Sequence, residues 1–155
     1  MKHIVTLFTL LLLAFNVSAA HLYYGNSTYS SDIMYTYENG HVYRGNSTYS
    51  SDILYTFANT GKIYLGNSTY SSDFVAMFDG RHLYDSPSGY SSDIVLTWQN
   101  GHVYQGNSTY TSDILLTIRD NKVYRGNSTY TSDILFRWTG TIPVSAVIMM
   151  VYSSM

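Results

Sequence analysis

Between His21 and Gly140 one pattern of hydrophobic and polar positions returns six times. Its constant mark is a tyrosine inside a polar stretch, at Tyr29, Tyr49, Tyr70, Tyr90, Tyr110 and Tyr130, in steps of 20 residues with one step of 21. Each unit holds two alternating runs. In the second unit, His41-Val42-Tyr43-Arg44 is rich in β-branched and aromatic residues and predicts a short strand. Ile53-Leu54-Tyr55-Thr56-Phe57 predicts another. A period of two sends Ile53, Tyr55 and Phe57 to one face and Leu54 and Thr56 to the other. The sets Ile33/Tyr35/Tyr37, Phe74/Ala76/Phe78, Ile94/Leu96/Trp98, Ile114/Leu116/Ile118 and Ile134/Phe136/Trp138 repeat the large apolar face. Met34, Leu54, Val75, Val95, Leu115 and Leu135 are expected on the opposite one.

The links are as regular as the runs. Asn39-Gly40, Asp79-Gly80 and Asn100-Gly101 stand between units, and Asp120-Asn121 takes the same place. Such pairs tolerate the positive φ angles of the tight type I′ hairpin turn. Asn59-Thr60-Gly61 is one residue longer and accounts for the 21-residue step. The other link, Gly-Asn-Ser-Thr-Tyr-Ser-Ser-Asp, is a polar loop of fixed length. In the fourth unit Ser86-Pro87-Ser88-Gly89 replaces its first half without changing that length.

Two strands per unit give twelve strands in an up-and-down meander. A fixed short period means one small element repeated, each copy burying its apolar face on its neighbours. An open sheet of this size would leave two unpaired edges, and rotational closure removes them. A propeller blade of four strands needs about 40 residues, twice the period here. A β-solenoid competes, but the Asn-Gly hairpin signals count against it. The expected fold is all-β: a closed, shallow up-and-down barrel of six two-stranded hairpins with pseudo-six-fold symmetry over residues 21–140.

The whole unit, as in His41-Val42-Tyr43-Arg44-Gly45-Asn46-Ser47-Thr48-Tyr49-Ser50-Ser51-Asp52-Ile53, resembles the repeat of the β-flower proteins. These are small symmetric barrels whose hairpins splay like petals. The resemblance runs from His21 to Gly140 and weakens at Ser86 to Gly89. It implies a fold and carries over no catalytic or binding residue.

The two ends of the chain differ from the repeats. Lys2 and His3 precede an apolar run, Ile4 to Phe15, which leads to Val17-Ser18-Ala19-Ala20. A basic start, an apolar stretch and small residues before a cleavage point predict a secretory signal over residues 1–20. The run is shorter than the ~20 residues of a spanning helix. The mature protein is therefore expected to be secreted or periplasmic and not an integral spanning protein. Residues 141–155 form an apolar, uncharged tail in which Pro143 suits a helix start. A plug helix, an extra strand and a membrane-contacting tail are all open to it, and closure of one barrel mouth is expected.

Composition narrows the function. Charged residues make up 12% and the formal charge is −2, so no basic face offers itself to nucleic acid. The absence of cysteine removes thiol chemistry, thiolate zinc sites and disulfides. Stability must then come from closure and packing. Asn-Ser-Thr triplets at Asn26, Asn46, Asn67, Asn107 and Asn127 match glycosylation acceptors, but their fixed place in the repeat favours a turn role.

Two residue sets are candidates for ligand binding. The loop tyrosines Tyr29, Tyr49, Tyr70, Tyr90, Tyr110 and Tyr130 combine a rigid apolar ring with a hydroxyl, which suits sugars or partners. The competing expectation is that each ring packs over the next repeat. Asp32, Asp52, Asp73, Asp93, Asp113 and Asp133 form a ring under six-fold symmetry. Calcium needs ~6–8 oxygens, usually with several carboxylates from one loop, and each loop has one carboxylate. Capping of loop N–H groups is the expected role, with no metal and no cofactor. His21, His41, His82 and His102 are expected at solvated strand ends. No nucleophile–base–orienter constellation stands out, so the chain is not expected to be an enzyme. Two readings of function follow. One is an exported binding module whose Tyr/Asn/Ser/Asp loops meet a glycan, a polymer or a lipid surface. The other is a structural or oligomer-forming envelope protein without a small-molecule ligand.

Overall fold

The computed structural model describes residues 18–155. The expected signal therefore lies, up to residue 17, outside the described residues. Twelve strands follow in order: β1 (Ala20–Tyr24), β2 (Ile33–Glu38), β3 (His41–Arg44), β4 (Ile53–Phe57), β5 (Lys62–Leu65), β6 (Phe74–Phe78), β7 (His82–Tyr84), β8 (Ile94–Gln99), β9 (His102–Gln105), β10 (Ile114–Arg119), β11 (Lys122–Arg125) and β12 (Ile134–Thr139). Each pairs antiparallel with its sequence neighbours, and β1 pairs with β12 through Leu22↔Trp138 and His21↔Thr139, so the barrel closes. The six polar loops lie at one end and the tight turns at the other.

The turns follow their residues. Asn39 and Gly40 have φ of 50° and 79°, and Asp120 and Asn121 have 51° and 56°, the pair of positive values that a type I′ turn demands. Asp79-Gly80 departs from the expectation, since only Gly80 of that pair has a positive φ, 101°. Its link is longer because the Asp79 carboxylate accepts hydrogen bonds from the N–H groups of Arg81 and His82, at 2.8 and 2.7 Å.

A bulge sits in every unit, and alternation alone did not reveal it. Val42 faces Tyr55 while Tyr43 faces Ile53, which leaves Leu54 as an extra residue. The other five units repeat this shift. Two residues then oppose one, and the faces change hands. Met34, Val75, Val95, Leu115 and Leu135 pack against the core, together with Tyr35, Tyr55, Leu96, Leu116 and Phe136. Ile33 and its counterparts move to the face of the strand tyrosines. The predicted apolar face is thus corrected at its first position and gains the residue expected opposite.

The lumen is filled by a helix. α1 (Val144–Tyr152) follows the last strand, and Ala146, Val147, Ile148, Met149, Met150 and Val151 are each 3% exposed or less. Six consecutive residues cover more than one turn, so the helix is enclosed on every side. Around it Leu22, Val42, Ile63, Leu83, Val103 and Val123 are all at 0–1%. A twelve-stranded wall is wider than the eight strands whose own side chains fill the interior, and the ~10–12 Å girth of a helix takes up the difference. The helix does not merely close one mouth. Ile142, Val144 and Val147 lie beside Trp98 and Trp138 at the turn end, and Ser154 and Met155 beside Tyr24 and Arg125 at the loop end. Its β-branched residues are poor helix formers, and burial outweighs that preference. Among the described residues no helix is long and apolar enough to cross a membrane.

The outer face is covered as well. Tyr23, Tyr43, Tyr64, Tyr84, Tyr104 and Tyr124 are 6–9% exposed, because the polar loops fold back over them. Thr69 and Ser71 lie beside Tyr64 and Phe74, and Pro87 of the next unit borders the same depression.

Met150→Ala tests the role of the helix. Met150 is fully buried, so truncation is expected to cost about 2–5 kcal/mol in urea unfolding. A cost below about 1 kcal/mol would mean that the wall collapses onto the vacated space.

Candidate functional site

Five of the six polar loops share one serine–aspartate circuit, four of these are also tied to the preceding unit by a threonine, and the loop of the second unit shows both. A glycine opens it, with φ near +60°, as at Gly45. The Gly45 N–H donates to the carbonyl of the bulged Met34 of the preceding unit at 2.8 Å. The Thr36 hydroxyl of that unit donates to the Gly45 carbonyl at 2.7 Å. The loop is thereby tied to its neighbour through both the N–H and the carbonyl of one glycine. The chain then turns so that Ser47 Oγ accepts the Tyr49 N–H at 3.2 Å and donates to Asp52 Oδ2 at 2.5 Å. The Asp52 N–H closes the circuit on the Tyr49 carbonyl at 2.9 Å. A single 3-10 turn, Ser50–Asp52, follows the tyrosine and leads into the strand.

This circuit corrects the expected role of the aspartates. They do not accept backbone N–H groups at the turn. Each instead holds the serine hydroxyl five residues before it, at Asp32, Asp52, Asp73, Asp113 and Asp133. The serine relays that hold to the tyrosine N–H. A carboxylate accepting a hydroxyl makes a stronger bond than a neutral acceptor would, which suits it to fixing the loop. The ring expected from symmetry does not gather the carboxylates. Among the described residues no three His, Cys, Asp or Glu side chains come together in a metal-binding group.

The tyrosines are placed as symmetry predicts, but their rings do not pack over the next repeat. Tyr29, Tyr49, Tyr70, Tyr110 and Tyr130 are 75–77% exposed and Tyr90 is 69% exposed. In five units the backbone is pinned on both sides, the N–H by serine and the carbonyl by the aspartate N–H. A fixed backbone under a free ring distinguishes these residues from the strand tyrosines buried below them.

The fourth unit breaks the circuit. Ser86 stands where the glycine should, and the positive φ moves to Gly89, at 67°. Ser88 Oγ accepts from Ser86 rather than donating to Asp93. The preceding unit has Met77 in place of the tying threonine, and its methyl lies against Gly89. Asp93 keeps only Ser92, at 2.9 Å. Loop and threonine both differ at this junction, whereas Arg137 replaces the threonine before the first loop and that loop keeps Gly25 and its serine circuit.

The histidines are half-buried and bonded rather than merely solvated. His21 and His102 reach Thr36 and Thr117 through Nδ1 at 3.1 Å, and each ring lies near the strand tyrosine two residues on. At the longer turn His82 joins a cluster that sequence reasoning missed. Asp79 accepts from the Arg81 and His82 N–H groups, and its Oδ2 accepts the Tyr84 hydroxyl at 2.8 Å and lies 3.3 Å from His82 Nδ1. Partial burial pushes the Asp79 carboxyl up, but these hydrogen bonds outweigh it and hold the group at about 2. They equally push the Tyr84 hydroxyl up. The only hint in the sequence is an Asp before the Gly where other units carry Asn.

Two outcomes follow. Asp52→Asn weakens the bond from Ser47, and is expected to cost about 0.5–1.5 kcal/mol. Asp93→Asn, with no serine held five residues back, should cost less; equal losses in urea midpoints would assign the carboxylates another role. Asp79 is lowered in the folded chain, so its contribution is present above the unfolded value of ~3.9 and is lost as pH falls through about 2. The stability gap between wild type and Asp79→Asn should therefore shrink across that window in acid titrations, and a gap that grows instead would reverse the assignment.

A family model described as "6-fold beta flower protein" matches residues 22–150, a span that takes in all six hairpins and most of the lumen helix. No curated protein and no solved structure matches the chain. On the family match and the closed ring of six hairpins around it, the chain belongs to the 6-fold beta flower protein family.

Proposed function

We propose that the protein is a non-catalytic binding module, exported to the cell envelope or beyond, that meets an extended glycan or similar uncharged surface polymer with its six tyrosine loops. The observation that carries this reading is the exposure of the six loop tyrosines, 69–77%, on backbones fixed by hydrogen bonds. An aromatic ring left in water on a rigid support loses little further entropy when a ligand arrives. Its face suits the C–H surface of a sugar, and its hydroxyl, with the neighbouring exposed Asn and Thr side chains, suits the sugar hydroxyls. The six loops carry no Lys or Arg between Asn and Asp, and the net charge is −2, which disfavours anionic lipid and nucleic acid as partners.

Repetition fits a repeating ligand. Six weak contacts on one frame add through effective concentration and raise overall affinity by about 10²–10⁴ without any strong single site. Retention on insoluble polysaccharides such as peptidoglycan, chitin and cellulose provides the test. Tyr→Ala changes at one, three and all six loops are expected to lower retention progressively and steeply while circular dichroism stays constant. A wild type that none of the polymers retains, or a six-fold variant retained as well as wild type, would sink the proposal.

A further inference from the structure

The mouth at the turn end carries a different ring. Five of its six positions are aromatic: Tyr37, Phe57, Phe78, Trp98 and Trp138. They are equivalent residues of the second strands, and all belong to the core or pack against it. Tyr37 and Phe57, neighbours in this ring, meet edge to face with centroids 6.3 Å apart. The sixth position is Ile118, and it stands between the two tryptophans. A cavity of about 240 Å³ opens there, lined by Trp98, Ile118, Trp138, Ile142, Val144 and Val147. On its rim lie Arg119, Asp120 and Asn121, with Arg119 Nε and Asp120 Oδ2 paired at 3.4 Å.

The shape of this space follows from the repeat. At the five other positions an aromatic side chain stands at the mouth and packs on the core; here a smaller aliphatic one takes its place. The floor is carbon from the helix and from Ile142, and the flanks are two indoles. The rim charges pair with each other, so the slot offers no net charge to a ligand, while the Asn121 amide borders the opening. Ligand clefts for drug-sized molecules run to about 300–1,000 Å³; this one is smaller and matches a single ring system. We infer that the gap at Ile118 is a binding slot for one uncharged planar aromatic ring of the phenol class, which takes the place of the missing sixth aromatic. This site is separate from the tyrosine loops, at the opposite end of the barrel.

The chain has two tryptophans and both line the slot, so their emission reports on it directly. Phenol titrated into the intact protein, with excitation beyond its own absorption, is expected to change that emission saturably, while cyclohexanol and methyl glucoside do not. Ile118→Phe supplies the missing ring: it should raise the melting temperature and weaken phenol binding by about tenfold or more, a loss readily separated from scatter. Ile118→Val leaves the slot open and should bind phenol as wild type does, which keeps the test decisive if the larger residue does not fold. No saturable change in wild type, equal binding of cyclohexanol, or undiminished binding in a folded Ile118→Phe protein would each overturn the assignment. Loss of polysaccharide retention with phenol binding intact would affect the tyrosine-loop reading alone.

Discussion

Everything in this barrel depends on filling a lumen that its own wall leaves too wide. Twelve strands close without edges, but their inward side chains stop short of the axis. The helix Val144–Tyr152 supplies the missing volume, and its contacts with Leu22, Val42, Ile63, Leu83, Val103 and Val123 make one continuous core. Neither part buries its apolar surface without the other. The two share one stabilising event rather than two independent ones.

The helix also explains why the repeat is imperfect. A helix of 3.6 residues per turn cannot present six equal faces to a six-fold wall. The wall adapts where it touches: the position that reads Tyr35, Tyr55, Ala76, Leu96, Leu116 and Phe136 varies widely in size. The outward strand tyrosine does not vary at all, because what lies over it is the repeat's own loop. The variation in size at this inward position contrasts with the constancy of the tyrosine under each copy's own loop. At the fourth loop, Ser86 and Met77 stand in place of the glycine and the threonine that make the tie in the second unit.

The fold was legible because hairpin turns, strand alternation and loop length all pointed to one arrangement. Asn39-Gly40 and Asn100-Gly101 behave as their dipeptides require. The bulge was not legible, since Leu54 alternates correctly on paper and is displaced only when Tyr43 pairs with Ile53 and the Gly66 N–H takes the Leu54 carbonyl. The candidate site was half legible. Positions of the tyrosines and aspartates came from the repeat, but the serine relay between them needs a three-dimensional turn, and the exposure of the rings depends on where the neighbouring loop ends. The Asp79 cluster was hidden because the Gly80 after it looked like any other hairpin signal.

The order of elements along the chain has a kinetic side. Closure joins partners such as Tyr23 and Thr139, 116 residues apart, and the helix that fills the centre follows all twelve strands. Contacts of such separation form slowly, because the entropy of closing the loop must be met before the contact repays it. A growing chain can make its hairpins one by one, yet it holds five of them as an open, unfilled sheet until the last hairpin and the helix emerge. Exposed strand edges in that interval invite pairing with other chains. The tight turns and the loop-to-strand ties at Gly45 and its counterparts limit that risk by fixing each hairpin on its neighbour before the ring can shut.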